Sequence, residues 1–224
     1  MQVEYAIERR NRRKRLALVV ERDGRVRVLA PVDVPEARVH AWVASKREWI
    51  DRQQERMRKF RRQTPLRTGA VIEVLGRARH IHCDPGLEHQ ALDEHAVHLR
   101  LPAKADESEI CVQLRLVLIR AAERHFAVRA EHYARIMQVR PTRIGIKDYR
   151  TRWGSCHADG RIFLNWRLML APEAIGDYVV VHELAHLRHA DHSPRFWRFV
   201  GQVLPRFEKE HAWLREHGIA LELA

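Results

Sequence analysis

The sequence between residues 179 and 192 contains the pattern His-Glu-x-x-His, formed by His182, Glu183 and His186. Residues four apart on an α-helix lie on one face about 6 Å apart, so the two imidazoles can share one metal ion. Glu183 lies about 100° round the helix, where its carboxylate can reach a metal-bound water without binding the metal. A catalytic zinc takes three protein ligands and leaves one position for water. The pattern therefore predicts one zinc ion per chain and a water-activating glutamate.

The third zinc ligand has four candidates. His189 continues the line of the first two histidines, but three histidines along one straight helix cannot easily surround an ion. His192 stands just before Ser193-Pro194, where the chain is expected to turn and to fold the imidazole back onto the metal. Glu208 and Glu210 lie at a distance that suits zinc sites with a glutamate ligand. We expect His192 to be the ligand, ahead of either glutamate, with His189 last.

The residues around the motif are apolar, which predicts a helix buried on much of its surface. Two histidines and a glutamate inside such a helix are costly unless something pairs with them. A metal ion supplies that partner, and a structural helix with hydrogen-bonded histidines is the alternative. The apolar residues are Val179, Val180, Val181, Leu184 and Leu187.

Four blocks of the sequence, in this order, resemble the YgjP-like metallopeptidases, which are relatives of the SprT and WLM zinc peptidases. The resemblance is dense over about residues 140–218. It implies zinc ligands His182, His186 and His192, and a catalytic glutamate at Glu183. The blocks are Arg152-Trp153-Gly154-Ser155-Cys156, Ile162–Leu168, Asp177–His186 and His192–Trp197.

Three further residues are candidates for contact with the substrate or the transition state. Tyr178 precedes His182 by one turn, and the resemblance places Arg152 near the site, so either could donate to the developing oxyanion. Asn165 ends a strand, residues 162–165, which by analogy with related peptidases is expected to bind substrate backbone by strand addition. Cys156 is interpreted as a small buried thiol rather than an additional ligand.

The chain of 224 residues carries a formal net charge of +12, and residues 1–62 contribute 18 Lys and Arg against 9 Asp and Glu. Such a surface suits non-specific DNA binding, although charge runs are most often solvated. The SprT and WLM relatives include proteases that act on DNA–protein crosslinks, so the resemblance implies one alternative function, a DNA-binding protein whose protease activity depends on DNA and which processes such crosslinks. A second alternative is an inactive zinc-stabilised module, against which intact Glu183 argues. Candidate nucleic-acid contacts are Arg12, Arg13, Arg56, Lys59 and Arg62.

Three cysteines without a Cys-x-x-Cys pair indicate a reducing compartment and exclude a zinc ribbon. The apolar stretch after the basic start is too short for a signal peptide, and no run of about 18 apolar residues could span a membrane. We expect a cytoplasmic protein that acts on a protein or peptide substrate and does not bind membranes. The oligomeric state is left open.

Hydrophobic periodicity predicts an α+β fold. Strands in residues 3–31, 70–83 and 96–101 are expected to form a small antiparallel N-terminal sheet with one long helix, residues 36–62, and a linker at 64–69. A zincin-like domain of helices and strands then follows. Its predicted elements are helices at 107–137, from 173, at 196–203 and at 208–217, with strands at 142–147 and 161–165. The predicted domains are a basic β-rich region, 1–103, and a metallopeptidase domain, 104–224.

Overall fold

A computed structural model of the chain describes residues 4–21, 24–60 and 65–223. These residues form an α+β fold, as the periodicity predicted, with six α-helices and three small sheets. The chain divides into two compact units between Gln63 and Thr64. None of the helices in the described residues combines the length and apolar character needed to cross a lipid bilayer.

The first unit is a three-stranded sheet with its own core. Strands β1 (Tyr5–Arg10), β2 (Ala17–Val20) and β3 (Val26–Pro31) are arranged in the order β1-β3-β2. β1 runs parallel to β3 and β2 runs antiparallel to it, so the sheet is mixed rather than purely antiparallel. The core residues from the sheet and its helices are Val26, Val28, Ala30, Val39, Val43 and Ile50.

Two helices stand where the periodicity predicted one. Helix α1 covers Glu36–Ala44 and α2 covers Arg47–Phe60, with a break at Ser45 and Lys46. The Ser45 hydroxyl donates to the Trp42 carbonyl at 2.7 Å, a local bond that competes with continued helix. Trp49 follows the break and is 39% exposed, so its side chain lies outside the core.

The second unit begins with a four-stranded sheet. Strands β4 (Val71–Val74), β5 (Arg77–Cys83), β6 (Ala91–Leu92) and β7 (Ala96–Leu99) lie in the order β4-β5-β7-β6. The predicted hairpin joins β4 to β5, and Leu75 and Gly76 at its turn both have positive φ, 53° and 74°. Positive φ at both central residues is the conformation that matches the twist of a two-residue hairpin.

This sheet shares its core with the long helix α3, Glu107–Met137, whose predicted bounds are confirmed. Ile81, Val97 and Leu99 of the sheet belong to the same buried cluster as the helix residues Ile110 and Leu114. The boundary between the units therefore lies after residue 63 and not between residues 103 and 104. A boundary at 103 would separate β4–β7 from α3, although they share one core.

The segment predicted as a linker joins that core as well. Leu66 is buried, and its N–H donates to the Glu107 carboxylate at 2.9 Å. Towards the end of α3, Val128 and Ile136 are 67% and 53% exposed and lie outside that core.

The remaining elements surround the histidine motif. Strands β8 (Arg143–Lys147), β9 (Gly154–Cys156) and β10 (Arg161–Asn165) form a sheet in the order β8-β10-β9, and a 3₁₀ turn covers Trp166–Leu170. Helix α4 covers Glu173–Ala185 and contacts α3, α5 (Pro194–Val203), α6 (Phe207–His217), β9 and β10. A 3₁₀ turn over Gly218–Ala220 follows α6.

Candidate metal centre

Two histidines project from the last turn of α4, and a third returns to them from the following loop. The helix ends at Ala185 with His186 as its C-cap, and α5 begins at Pro194 after Ser193. The loop between them folds back, so that the Nε2 atoms of His182 and His192 lie 3.0 Å apart. One ligand nitrogen from each of His182, His186 and His192 lies within 4.8 Å of the others.

The donor set and its protonation fit a metal ion. Nitrogens bound to one tetrahedral zinc lie about 3.3–3.4 Å apart for Zn–N bonds of about 2.0–2.1 Å, close to the separation of His182 and His192. Nδ1 of His186 lies 3.1 Å from the carbonyl oxygen of His189, so it donates there and leaves Nε2 as a lone-pair donor. Burial and the neighbouring imidazoles lower the pKa of His182 to about 3, and burial lowers the pKa of His186. Both rings are therefore neutral, as metal ligands must be.

The other candidates for the third ligand lie outside this cluster. His189 packs its ring on Phe199 at 5.7 Å and offers only its carbonyl to His186. Glu208 is exposed on α6, and neither it nor Glu210 joins the metal-binding group found in the described residues. The geometry brings His192 to the helix pair.

Phe196 forms an apolar wall against all three histidines. Its ring centroid lies 5.0, 4.6 and 4.9 Å from those of His182, His186 and His192. Trp197 stacks on His192 at 5.6 Å. These contacts limit the rotation of the imidazoles, because close packing leaves each ring few rotamers.

Glu183 lies beside the triad and is almost completely buried, with 6% of its surface exposed. Burial raises the pKa of its carboxyl to about 7, although the Arg152 charge and a hydrogen bond from the Cys156 backbone N–H favour the ionised form. A carboxyl group with a pKa near the working pH is suited to accept and release a proton.

Tyr178 and Arg152, the two candidate oxyanion donors, both lie near Glu183. The Tyr178 ring contacts His182 edge-on, with centroids 5.9 Å apart, and stacks on His211. Burial, followed by the Glu183 charge, raises the pKa of Tyr178 to about 12, so its hydroxyl stays protonated. The Arg152 guanidinium lies 5.6 Å from the centroid of the Tyr149 ring.

Asn165 has a different place from the one expected. Its amide donates to the carbonyls of Tyr149 and Arg152 at 2.9 and 3.0 Å, and its Oδ1 accepts from the Arg167 N–H. These bonds occupy the buried amide and tie Asn165 to the loop that carries Arg152.

The strand expected to bind substrate is an inner strand of its sheet. β10, which contains residues 162–165, lies between β8 and β9, and its backbone is paired on both sides. β9 is the edge strand that contacts α4, and its three residues were missed because so short a strand gives no periodicity. Cys156 in β9 is a free thiol outside the histidine cluster, and it is only partly buried, whereas the sequence predicted a buried one.

Sequence reasoning also missed Gly154 and His211 beside the centre. Gly154 had a signal, since it belongs to the Arg152–Cys156 block, but its contact with Glu183 depends on the fold. His211 stacks on Tyr178 and Trp197, both at 5.9 Å, and nothing in its sequence context distinguishes it from His217, the other histidine of α6.

The basic candidates that the structure describes lie towards two different ends of the first sheet. Arg12 and Arg13 lie in the β1–β2 loop beside the end of β3, where Arg10 pairs with Pro31. Helix α2, which carries Arg56, reaches the opposite end of that sheet, where Gln54 donates to the Gly24 carbonyl at 2.7 Å. Arg62 and the side chain of Lys59 lie outside the described residues.

Comparisons with known proteins place these observations in context. A family model described as "YgjP-like, metallopeptidase domain" matches residues 14–217. A search of curated protein sequences found no match. Among solved structures, the chain is similar to the metallopeptidase zymogen of Pyrococcus abyssi abylysin, with 25% identity and a TM-score of 0.38. That similarity covers 40% of this chain and 90% of the abylysin chain.

Proposed function

This chain belongs to the YgjP-like metallopeptidase family, and from that membership we propose that it is a zinc-dependent endopeptidase with Glu183 as its general base. One observation carries the proposal. His182, His186 and His192 converge on one point, and the buried carboxylate of Glu183 lies beside them.

The chain's own residues supply the proton transfers. Zinc, when bound by the three histidines, supplies a Lewis acid that lowers the pKa of water to about 7. Glu183 accepts the proton of the attacking water and delivers it to the leaving amine. Arg152 and the Cys156 N–H favour the ionised carboxylate before that transfer, against the burial that raises its pKa to about 7. The protonated hydroxyl of Tyr178 is a donor for the developing oxyanion.

The edge strand β9 is the feature that favours a peptide as the substrate. An extended chain adds to an unpaired strand edge through backbone hydrogen bonds, which do not depend on its sequence. β9 offers such an edge next to the helix that carries Glu183. An extended protein segment is therefore the substrate class that we propose.

Glu183→Gln tests the mechanism. The amide keeps the shape of the side chain but cannot accept the proton, so hydrolysis of an unfolded protein such as casein should fall about 10²- to 10⁴-fold. Zinc content, measured by elemental analysis, should remain one per chain. Glu208→Gln makes the same change at an exposed position of α6 and should leave both quantities unchanged.

Other results would point elsewhere. Unchanged turnover in Glu183→Gln would remove the general-base mechanism, and loss of zinc would make Glu183 structural. A wild-type protein that holds zinc but cleaves nothing would favour the inactive zinc-stabilised module.

The second candidate is DNA binding with DNA-dependent proteolysis. The observation that favours it is the β1–β2 loop, where Arg12, Arg13, Lys14 and Arg15 follow one another with no acidic residue among them. Neutralised phosphates release counterions, so log affinity for duplex DNA should fall with log salt by about 0.9 per contact.

A pair of charge reversals tests this candidate. Arg12→Glu combined with Arg13→Glu should flatten the salt dependence of DNA binding, because both residues lie in the loop. Arg56→Glu at the other end of the sheet is the matched control and should leave the slope unchanged. Equal slopes in all three proteins would end the DNA hypothesis for this loop.

A further inference from the structure

Gly154 lies against the carboxylate of Glu183. A Cβ atom placed on Gly154 would lie 2.6 Å from both Oε1 and Cγ of Glu183 and 2.8 Å from its Cδ. Contacts below 3.0 Å are essentially absent from real Cβ atoms. Gly154 does not adopt a positive φ, so glycine is needed there for space and not for backbone freedom.

The same strand supplies a hydrogen bond to this carboxylate. The backbone N–H of Cys156 donates to Glu183, two residues beyond the glycine that leaves room for it. Contacts with β10 and with Tyr149 hold β9 in place. Gly154 and Cys156 pair with Leu164 and Ile162 of β10, and the Ser155 hydroxyl is hydrogen-bonded to that of Tyr149 at 2.7 Å.

We propose that Gly154 is a positioning residue for peptide hydrolysis. Because it has no side chain, it leaves space for the Glu183 carboxylate at the position where the Cys156 N–H hydrogen-bonds to it. The inference rests on the proposed function, in which Glu183 is the general base. With an alanine at residue 154, the distance between its Cβ and Oε1 of Glu183 must increase from 2.6 Å to an ordinary contact of 3.4 Å. The carboxylate is therefore displaced by 0.8 Å. A displacement of about 1 Å in a catalytic group can lower the rate about 10²-fold.

Gly154→Ala tests the proposal, with Gly201→Ala as the matched control. A Cβ at Gly201, on α5, would lie 3.6 Å from the Phe207 ring, an ordinary contact. Gly154→Ala should lower kcat about 10²-fold with KM within about threefold of wild type. Zinc content should stay at one per chain, and Gly201→Ala should retain the wild-type kcat. A kcat within threefold of wild type, or a loss of activity that follows a loss of zinc, would overturn the proposal.

The crystal structure of metal-free Gly154→Ala gives a readout that does not depend on activity. The Glu183 carboxylate should be displaced from residue 154, and an unmoved carboxylate overturns the inference. If wild type cleaves no peptide, the proposed function fails, while this structure still decides whether Gly154 fixes the side chain.

A truncated side chain at residue 183 covers the case in which Gly154→Ala does not fold. Glu183→Ala removes Cγ, Cδ and Oε1, the three atoms that the new Cβ would meet, and so removes the clash. Folding of the double variant supports the contact, since the same alanine is then tolerated. Failure to fold in that background as well would show that the glycine serves something else.

Discussion

His192 reaches the metal centre from a loop, whereas His182 and His186 are fixed on α4. His192→Ala should therefore leave two helix ligands and lose most of the zinc on dialysis, because a catalytic zinc normally needs three protein ligands. His189→Ala should retain one zinc per chain, since the His189 ring lies on Phe199 and only its backbone carbonyl serves His186. Elemental analysis after dialysis measures both.

Retention of zinc by His192→Ala together with its loss from His189→Ala would reverse this ligand assignment. A third ligand from Glu208 or Glu210 in place of His192 would instead appear as zinc loss in the corresponding alanine variant.

The sequence was sufficient to predict which side chains of the centre come together wherever local spacing decides it. His182, Glu183 and His186 are set by one helical turn, and His192 by the turn before Ser193-Pro194. Gly154 and Asn165 were not predictable in the same way. The Gly154 contact lies across a gap between a strand and a helix, and the Asn165 amide bonds to a loop 13 and 16 residues away.

At the scale of elements, a buried ion pair joins α4 to α3. Asp177 accepts from Arg129 Nε at 2.6 Å and from the Tyr133 hydroxyl at 3.0 Å. Asp177→Asn should lower the free energy of unfolding by about 2–3 kcal/mol, because it leaves the Arg129 guanidinium without its counter-charge. This value is below the usual cost for a buried pair since the Arg129 side chain is 28% exposed.

Urea unfolding of Asp177→Asn measures the effect. Glu131→Gln on the exposed face of α3 is the control, because its pair with Arg135 is a surface pair worth about 0.5 kcal/mol or less. Equal destabilisation by the two variants would show that Asp177 contributes no more than a surface charge.

The elements that could be predicted are those with strong local signals. The start of α3 is fixed by a capping box between Asp106 and Glu109, and its end by Gln138 in the left-handed conformation. The parallel pairing of β1 with β3 had no such signal, because it joins strands that are separated along the chain by β2. The antiparallel neighbour β2, close to β3 in sequence, was predicted.

At the scale of the whole molecule, the contacts predict that residues 64–224 fold without residues 1–63. A fragment of residues 64–224 should melt cooperatively and hold one zinc, because the strands β4–β7 and helix α3 share one core. A fragment of residues 104–224 should not, because it exposes the face of α3 that contains Ile110 and Leu114. Circular dichroism melts and zinc analysis of both fragments check this expectation.

A stable, zinc-binding 104–224 fragment would restore the boundary predicted from the sequence. That prediction failed to find the division at residue 63 because periodicity shows that α3 has a buried face but not which strands cover it. Leu66, inside the predicted linker, did not reveal that this segment is buried either, because a single apolar residue forms no periodic pattern.

The three histidines all fall between residues 182 and 192, which bears on when the chain acquires its metal. An ion bound there closes a loop of only about ten residues, so it removes little entropy from the unfolded chain. Helix α4 is meanwhile held by a core that does not contain the ion. The apoprotein should therefore fold first and take up zinc afterwards. A shortage of zinc should then lower the activity of the protein but not the amount of folded protein.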